Sequence, residues 1–567
     1  MMVEKEESED EGGKRREDLK KSASLELPNL HFVYWPQKSA GMTQKDGFCR
    51  VCSRGFYSCH WRKQSERTKK WSCCWFLFVS LVAAFSLCWI YICLAAYNSR
   101  DMFNWKLFTV LNMWVNWFMV VFIMSGVLTS YCVLLLLFAL VQLALREKLD
   151  LHILHKVFLF LSMAIFIGGG VAFTCHWKEE LPTVPLLLQA TAPFLQFGAV
   201  GALTLLSWII FQSFNAAKKG SKFLIALIFL VVSAAIFLCP LLIKSPCLIA
   251  VEELPEKPKL IGHRGAPMSA PENTLMSFNK SVECGVLAFE TDVQISKDKA
   301  AFLMHDHEPG FLERTTNVKA KFPHTTFNQS SDVTLNVLQS LNAGEWFLKT
   351  DPHQTVSQLS AEDKMTARNQ VIPSLLQLLQ LAKQHKISVI FDLYSFGEND
   401  TEITVDIILD SGINQSLILW LPPQRREYVK RRAPGFIQVY SNESDLINHT
   451  GRYLNVAYSA LSRDKIRELR RQNVSVNLWV VNEQWLFSLL WCAGASSVTT
   501  NSCHLLKDME HPDWVMTPST YMAIWISLDV ISVLIMICLY VIQLKQSSSR
   551  HETHSRKEQI PFLPRKV

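Results

Sequence analysis

Apolar residues crowd the chain before about residue 243 and again after about residue 519, and the stretch between them alternates like ordinary globular sequence. A helix of about 18 or more mainly apolar residues is long enough to cross a bilayer's hydrocarbon core. Six stretches qualify: Trp75–Tyr97, Trp117–Leu145, Val157–Phe173, Leu186–Phe211, Phe223–Ile243 and Tyr521–Leu544. The third carries Gly168, Gly169 and Gly170, which suits close helix packing. Asp529 is the clear ionisable residue inside these runs, too little for an ion or substrate path.

From Lys257 to about Met509 short β-like runs alternate with helix-like ones over some 250 residues, the size of a (β/α)8 barrel. Leu260–His263, Val286–Ile295, Ala301–Met304, Ile387–Leu393, Leu417–Leu421, Phe436–Tyr440, Tyr453–Tyr458, Val474–Val481 and Ser497–Thr500 read as strands. Ser331–Asn342, Pro373–Gln384, Ser462–Arg471 and Gln484–Trp491 read as helices. Nine strand candidates are one too many for a barrel of eight, so one is expected to be a hairpin partner. The predicted fold is a multi-pass α-helical membrane domain of six helices plus an α/β TIM-type (β/α)8 barrel. Its divisions are a cytosolic tail 1–74 (disordered, then cysteine-rich and basic), five membrane helices in 75–243, the barrel 244–518, a sixth membrane helix 519–544 and a cytosolic tail 545–567.

Composition adds sidedness. The chain is 49% hydrophobic, with 34 Phe and a net charge of +7. No basic stripe with interleaved aromatics is present, which argues against nucleic acid. Lys and Arg gather before the first helix (Arg62, Lys63, Arg67, Lys69, Lys70), between the second and third (Arg146, Lys148, Lys156), between the fourth and fifth (Lys218, Lys219, Lys222) and after the last (Lys545, Arg550, Arg556, Lys557). By the positive-inside rule both termini face the cytosol and the barrel is extracellular or lumenal, in the plasma membrane or a secretory-pathway membrane. Glycosylation acceptors at Asn279, Asn328, Asn399, Asn414, Asn442, Asn448 and Asn473 all fall in the barrel segment and agree. Cys247, Cys284, Cys492 and Cys503 would then sit in oxidising surroundings and allow up to two disulfides of open connectivity. Cys49, Cys52 and Cys59 with His60 lack the second CxxC of a zinc site, and acylation of Cys73 or Cys74 competes.

Candidate chemistry clusters at strand ends. His263 and Arg264 close the first strand; Glu290 and Asp292, two apart, project from one face of the second. His305 and Asp306 close the third run, and Asp392 follows Val389–Phe391. Paired carboxylates on one face can grip a divalent cation, and imidazole titrates where proton transfer needs it. His263-Arg264-Gly265, Pro271-Glu272-Asn273-Thr274, Glu290-Thr291-Asp292-Val293 and His305-Asp306, in that order, resemble the glycerophosphodiester phosphodiesterase family, as do Arg314-Thr315-Thr316-Asn317 and Trp479. Cys59-His60-Trp61-Arg62-Lys63 and Leu188-Gln189-Ala190-Thr191-Ala192-Pro193-Phe194 look like its six-helix animal members.

The resemblance implies that Glu290, Asp292 and Asp392 bind a divalent cation, Ca²⁺ or Mg²⁺. It implies that His263 and His305 are the acid/base pair and that Arg264 holds a phosphate oxygen. The implied substrate is a glycerophosphodiester or lipid headgroup (glycerophosphoinositol, glycerophosphocholine, or a related glycerophospholipid or glycosylphosphatidylinositol group). The glycerol 2-hydroxyl would attack first to give a cyclic intermediate. The sequence departs from the family at Tyr394, where a lysine is usual, in the longer loop His307–Glu313, and at Ser496, where an aspartate is common. The competing reading is a catalytically weak cell-surface interaction or signalling protein that keeps the barrel as a scaffold. Because both tethers to the membrane join the barrel at its chain ends, its catalytic mouth is expected to point away from the bilayer.

Overall fold

The computed structural model describes residues 48–61, 71–308, 310–394 and 397–558. The tail 1–47, the basic cluster Arg62–Lys70 and the last residues 559–567 lie outside these. Six helices are long and apolar enough to cross a membrane, within Ser72–Leu111, Trp117–Ala144, Ile153–His176, Lys178–Ala216, Lys219–Leu242 and Pro518–Ser549. Their apolar residues face outward as well as inward, as in a lipid solvent rather than water. The first stretch is too long for one crossing. Ser72–Ala96 spans about 37 Å at 1.5 Å per residue, and after a one-turn break at Tyr97–Ser99 a second helix, Arg100–Leu111, sets off. Gly169 has its packing role: a Cβ there would meet the Trp89 ring at 2.8 Å.

The cysteine-rich segment expected to be part of a tail carries a helix. Phe48–Ser58 is a helix docked on the second and third membrane helices, with Gln142 Nε2 donating to the Ser53 carbonyl at 2.8 Å. Cys59 Sγ lies 3.7 Å from His155 Nε2, but this cluster gathers too few ligands for a metal; among the described residues the group that could hold one is in the barrel.

The barrel's strands are β1 (Lys259–His263), β2 (Ala288–Ile295), β3 (Ala301–Leu303), β4 (Ser388–Tyr394), β5 (Ile418–Trp420), β6 (Ile437–Gln438), β7 (Tyr453–Ala457), β8 (Ser475–Trp479) and β9 (Ser497–Thr500). Eight are parallel in the order β6-β5-β4-β2-β1-β9-β8-β7. A parallel bridge of Tyr440 to Leu454 joins the two ends of this path, so the cylinder is nearly closed. The supernumerary strand is β3, which turns back antiparallel on β2. Alternation sorts the side chains. Ile261, Ala288, Ile390, Leu421 and Val439 fill the interior, while Leu260, Phe289, Val293, Val389 and Phe391 pack outward under the helices.

Three of the four expected barrel helices form nearly as predicted, at Leu375–His385, Arg463–Arg471 and Gln484–Ala493. The fourth, Ser331–Asn342, is broken. Val333 is extended because its carbonyl accepts from Lys297 N at 2.8 Å beside the β2–β3 turn, leaving a 3-10 turn before it and the short helix Leu335–Gln339 after it. Cys247–Cys492 and Cys284–Cys503 are the disulfides.

The mouth does not point away from the membrane helices. Its C-terminal strand ends meet the connections 97–116 and 177–182 that join those helices on the barrel side. Asn98 binds Val480, Asn482 and Glu483 beyond β8. Arg100 pairs with Glu483 at 2.6 Å. The Tyr458 hydroxyl beyond β7 lies 3.0 Å from Thr183 Oγ1 and 3.3 Å from Glu180. The tethers permit this because they run up the barrel wall rather than hanging below it. Cys247 is bonded to the helix Gln484–Ala493, Trp491 Nε1 donates to the Pro255 carbonyl at 2.8 Å, and Ile249 N donates to the Met516 carbonyl at 3.0 Å.

Candidate active site

Register alone brings the carboxylates together. In the parallel ladders His263 lies beside Glu290, and Asp292 beside Asp392. Period-two alternation turns all four inward at the C-terminal end of the barrel. The β2–β3 hairpin adds the second histidine: Met304 N donates to the Asp292 carbonyl at 3.0 Å, which returns the chain so that His305 arrives at the level of Asp292.

The turn after β1 is held in an unusual shape. Arg264 has φ of 53° and Gly265 of 87°. Four hydrogen bonds fix this conformation. Arg264 N donates to Glu290 Oε2 at 2.9 Å, the Arg264 carbonyl accepts from Ser277 Oγ and Asn273 N, and Ala266 N donates to Ser277 Oγ at 2.7 Å. A Cβ on Gly265 would lie 2.5 Å from Ser277 Oγ and 2.8 Å from Phe278 N, so glycine is required there.

One oxygen each from Glu290, Asp292 and Asp392 lies within 4.8 Å of the other two. Their charges are poorly compensated. Burial, then Asp292 and Asp392, pushes the Glu290 carboxyl well above its ordinary range. Asp392 is open to the mouth, yet the enclosing walls and then Asp292 raise it to about 6. Burial opposes ionisation of Asp292 too, but Arg264 and His305 outweigh it and hold that carboxyl low. Asn273 Nδ2 also donates to Asp292 Oδ2 at 2.9 Å. An all-oxygen donor set crowded with negative charge fits a hard divalent cation.

The histidines are each oriented from behind. His263 Nδ1 is 2.6 Å from Asn501 Oδ1, and its Nε2 faces Glu290 at 3.8 Å. Burial, then the Arg264 charge, lowers this imidazole to about 4. His305 Nδ1 donates to Asp306 Oδ1 at 2.9 Å. Arg264 is braced by Asp292 and Glu272, both at 3.2 Å.

Several neighbours carry roles that their sequence positions did not suggest. Arg314 forks onto Asp306 at 2.8 Å and onto Glu272, tying the β1 turn to the β3 end. Its guanidinium also lies 4.8 Å from the Trp105 ring and 5.3 Å from that of Trp346. Tyr394, in place of a lysine, stacks on His307 at 4.2 Å and closes one wall. Ser496 is remote from the chemistry: its hydroxyl accepts from Val476 N near the opposite end of the barrel.

The glycerophosphoryl diester phosphodiesterase family matches residues 263–407, with a second match over 475–502. Mouse glycerophosphoinositol inositolphosphodiesterase GDPD2 is 41% identical over 516 residues, covering 88% of this chain and 95% of that protein. The chain belongs to the glycerophosphodiester phosphodiesterase family. Human glycerophosphodiester phosphodiesterase domain-containing protein 5 is 38% identical, covering 87% of this chain and 83% of its own. A phosphodiesterase of Oleispira antarctica, solved in complex with the product sn-glycerol-3-phosphate, aligns with 21% identity and a TM-score of 0.36 over 44% of this chain and 95% of that one. Membership makes the chain an enzyme, a phosphoric diester hydrolase, with the family's barrel beside six apolar helices.

Proposed function

We propose that the protein hydrolyses glycerophosphodiesters at the His263–Asp392 mouth with a divalent cation, Ca²⁺ or Mg²⁺, held by Glu290, Asp292 and Asp392. The convergence of these three carboxylates within 4.8 Å, between two backed histidines, carries the reading. When bound, the cation neutralises charge on the phosphate oxygens. Arg264 offers its remaining guanidinium edge, Nη2, to a phosphate oxygen. His263, donating from Nδ1 to Asn501, keeps the Nε2 lone pair toward the site and accepts the proton of the attacking hydroxyl. His305, whose Nδ1–H is engaged by Asp306, donates from Nε2 to the leaving alkoxide, and Asp306 stabilises the positive imidazole before transfer.

The same proposal places residues 244–518 outside the cell or in the lumen of the secretory pathway, with cytosolic tails at 1–74 and 545–567 and six membrane helices between and after. Two observations support it. The seven acceptor asparagines are all exposed, and the loops holding Arg146, Lys148, Lys218 and Lys219 lie at the end of the helices away from the barrel. Substrates follow from the relatives. Glycerophosphoinositol comes first, then glycerophosphocholine and lipid-linked headgroups.

The deciding experiment incubates the purified full-length protein with this panel, with and without chelator, and identifies both products. Cation-dependent hydrolysis that fails in His263→Ala and in His305→Ala is expected. Binding without turnover would instead favour the scaffold reading.

A further inference from the structure

A residue from the helical domain reaches the catalytic histidine through one intermediary. Asp101 stands in the first turn of Arg100–Leu111, the helix that follows the first membrane helix. Its Oδ2 lies 3.4 Å from Asn501 Nδ2, and Asn501 Oδ1 lies 2.6 Å from His263 Nδ1. Asp101 is anchored in turn by His353 Nδ1 at 3.2 Å. A second path runs from Asn98. Its Oδ1 accepts from Asn482 N at 2.8 Å and Glu483 N at 3.3 Å, and its carbonyl accepts from Asn482 Nδ2. Asn482 Oδ1 then takes Asn501 N at 2.9 Å. Backbone and side chain of Asn501 are therefore both set by the connection between the first two membrane helices.

The chemistry of an amide gives this arrangement a purpose. A terminal amide is nearly symmetric in shape, so packing alone does not decide which end faces His263. A carboxylate accepts only, so Asp101 selects the orientation with Nδ2 toward itself and Oδ1 toward the imidazole. Against a carbonyl oxygen, His263 Nδ1 must donate, which leaves the Nε2 lone pair for the reaction. A flipped amide would present N–H to Nδ1 and move the ring proton to Nε2, where it blocks proton acceptance.

We propose that Asp101 and Asn98, contributed by the helical domain, are positioning residues of the active site that hold His263 in its reactive tautomer through Asn501. This rests on the reading of His263 as the proton acceptor.

The test uses the full-length protein in lipid nanodiscs with glycerophosphoinositol and Mg²⁺ or Ca²⁺. Asp101→Ala is expected to lower kcat roughly ten- to a hundredfold, the usual scale for groups that orient a site's ligands from behind. KM and the cation concentration for half-maximal rate should hold. Adding Asn501→Asp to that variant should restore much of kcat, because two equivalent carboxylate oxygens accept from Nδ1 whichever way they turn. A role confined to docking the two domains would leave the double variant as slow as Asp101→Ala, and that result overturns the proposal, as does full kcat in Asp101→Ala. A second measurement, amide hydrogen exchange, reads the grip without activity: Asn98→Ala should speed exchange at Asn482, Glu483 and Asn501. Should the unmodified protein hydrolyse nothing, the proposed activity fails, and the exchange data still decide whether the connection holds the His263 end. Unchanged exchange would overturn that grip.

Discussion

Glu290 has an electrostatic difficulty that its neighbours do not solve, and the consequences are measurable. Its carboxyl is raised by burial and by Asp292 and Asp392, so neutralising it relieves repulsion while removing a proposed cation ligand. Glu290→Gln, whose amide oxygen can still accept from Arg264 N, should melt in chelator no lower than the native protein. The rise in Tm that Ca²⁺ or Mg²⁺ gives the native protein should disappear. A variant that keeps that rise would place the cation elsewhere. Arg314 presents the opposite case. Burial would raise Glu272 and Asp306, but Arg314 holds both carboxyls below their ordinary range. Groups with depressed folded values contribute stability that is complete above the unfolded value of about 4 and lost as pH falls through the folded values. Arg314→Met strands two buried carboxylates and should cost about 3–5 kcal/mol at pH 7. The gap from the native protein should shrink below about pH 4, and denaturant melts across pH would show whether it does. At this scale the shared inward face of Glu290 and Asp292 was legible, because i, i+2 spacing fixes it before any fold is known. Arg314, Asn501 and Asp101 were not, since a brace is defined by what it touches, and those contacts span 42, 238 and 400 positions of sequence.

Strand β3 explains why nine strand candidates make an eight-stranded barrel. It spends three residues returning along β2, and the return delivers His305 to the mouth. Short apolar runs predict strands well but say nothing about direction, so the ninth could be counted and not placed. The break at Val333 was hidden for a related reason: the bond that interrupts the helix comes from Lys297, 36 positions away. The β1 turn was legible as a His-Arg-Gly element but not as a constraint. Gly265→Ala would force a side chain into φ of 87° and within 2.5 Å of Ser277 Oγ. Backbone strain alone is about 1–3 kcal/mol, to which the clash adds. Loss of folded yield, rather than a slower but stable enzyme, is the expected result, visible in expression and gel filtration. One of the two disulfides works on a tether. Cys247–Cys492 pins the segment leaving the fifth membrane helix to the barrel wall, so Cys492→Ser should lower stability by about 2–5 kcal/mol.

The two domains meet rim to loop, and this was the part of the architecture that chain connectivity misjudged. Placing both tethers at the chain ends of the barrel suggested a mouth aimed outward. That inference assumed that a tether leaves the barrel in the direction in which it points. Instead Cys247–Pro255 and Asp513–Met516 run along the helix Gln484–Ala493, and the barrel sits with its strand ends on the helical domain. Polar contacts from Asn98, Arg100 and Thr183 then line the β7 and β8 ends. The arrangement can be trapped chemically. Asn98 Oδ1 accepts from Asn482 N at 2.8 Å, so the two backbones are close enough for cysteines to bridge across a Cα separation of about 4.4–6.8 Å. Asn98→Cys with Asn482→Cys should therefore crosslink under mild oxidation in the intact membrane protein. Asn98→Cys with Gln472→Cys should not, because Gln472 precedes β8 at the far end of the barrel. Cleavage between residues 98 and 247, which leaves both native disulfides within one fragment, followed by a non-reducing gel reads the result. A bridge to residue 472 rather than 482 would mean that the opposite end of the barrel faces the helical domain.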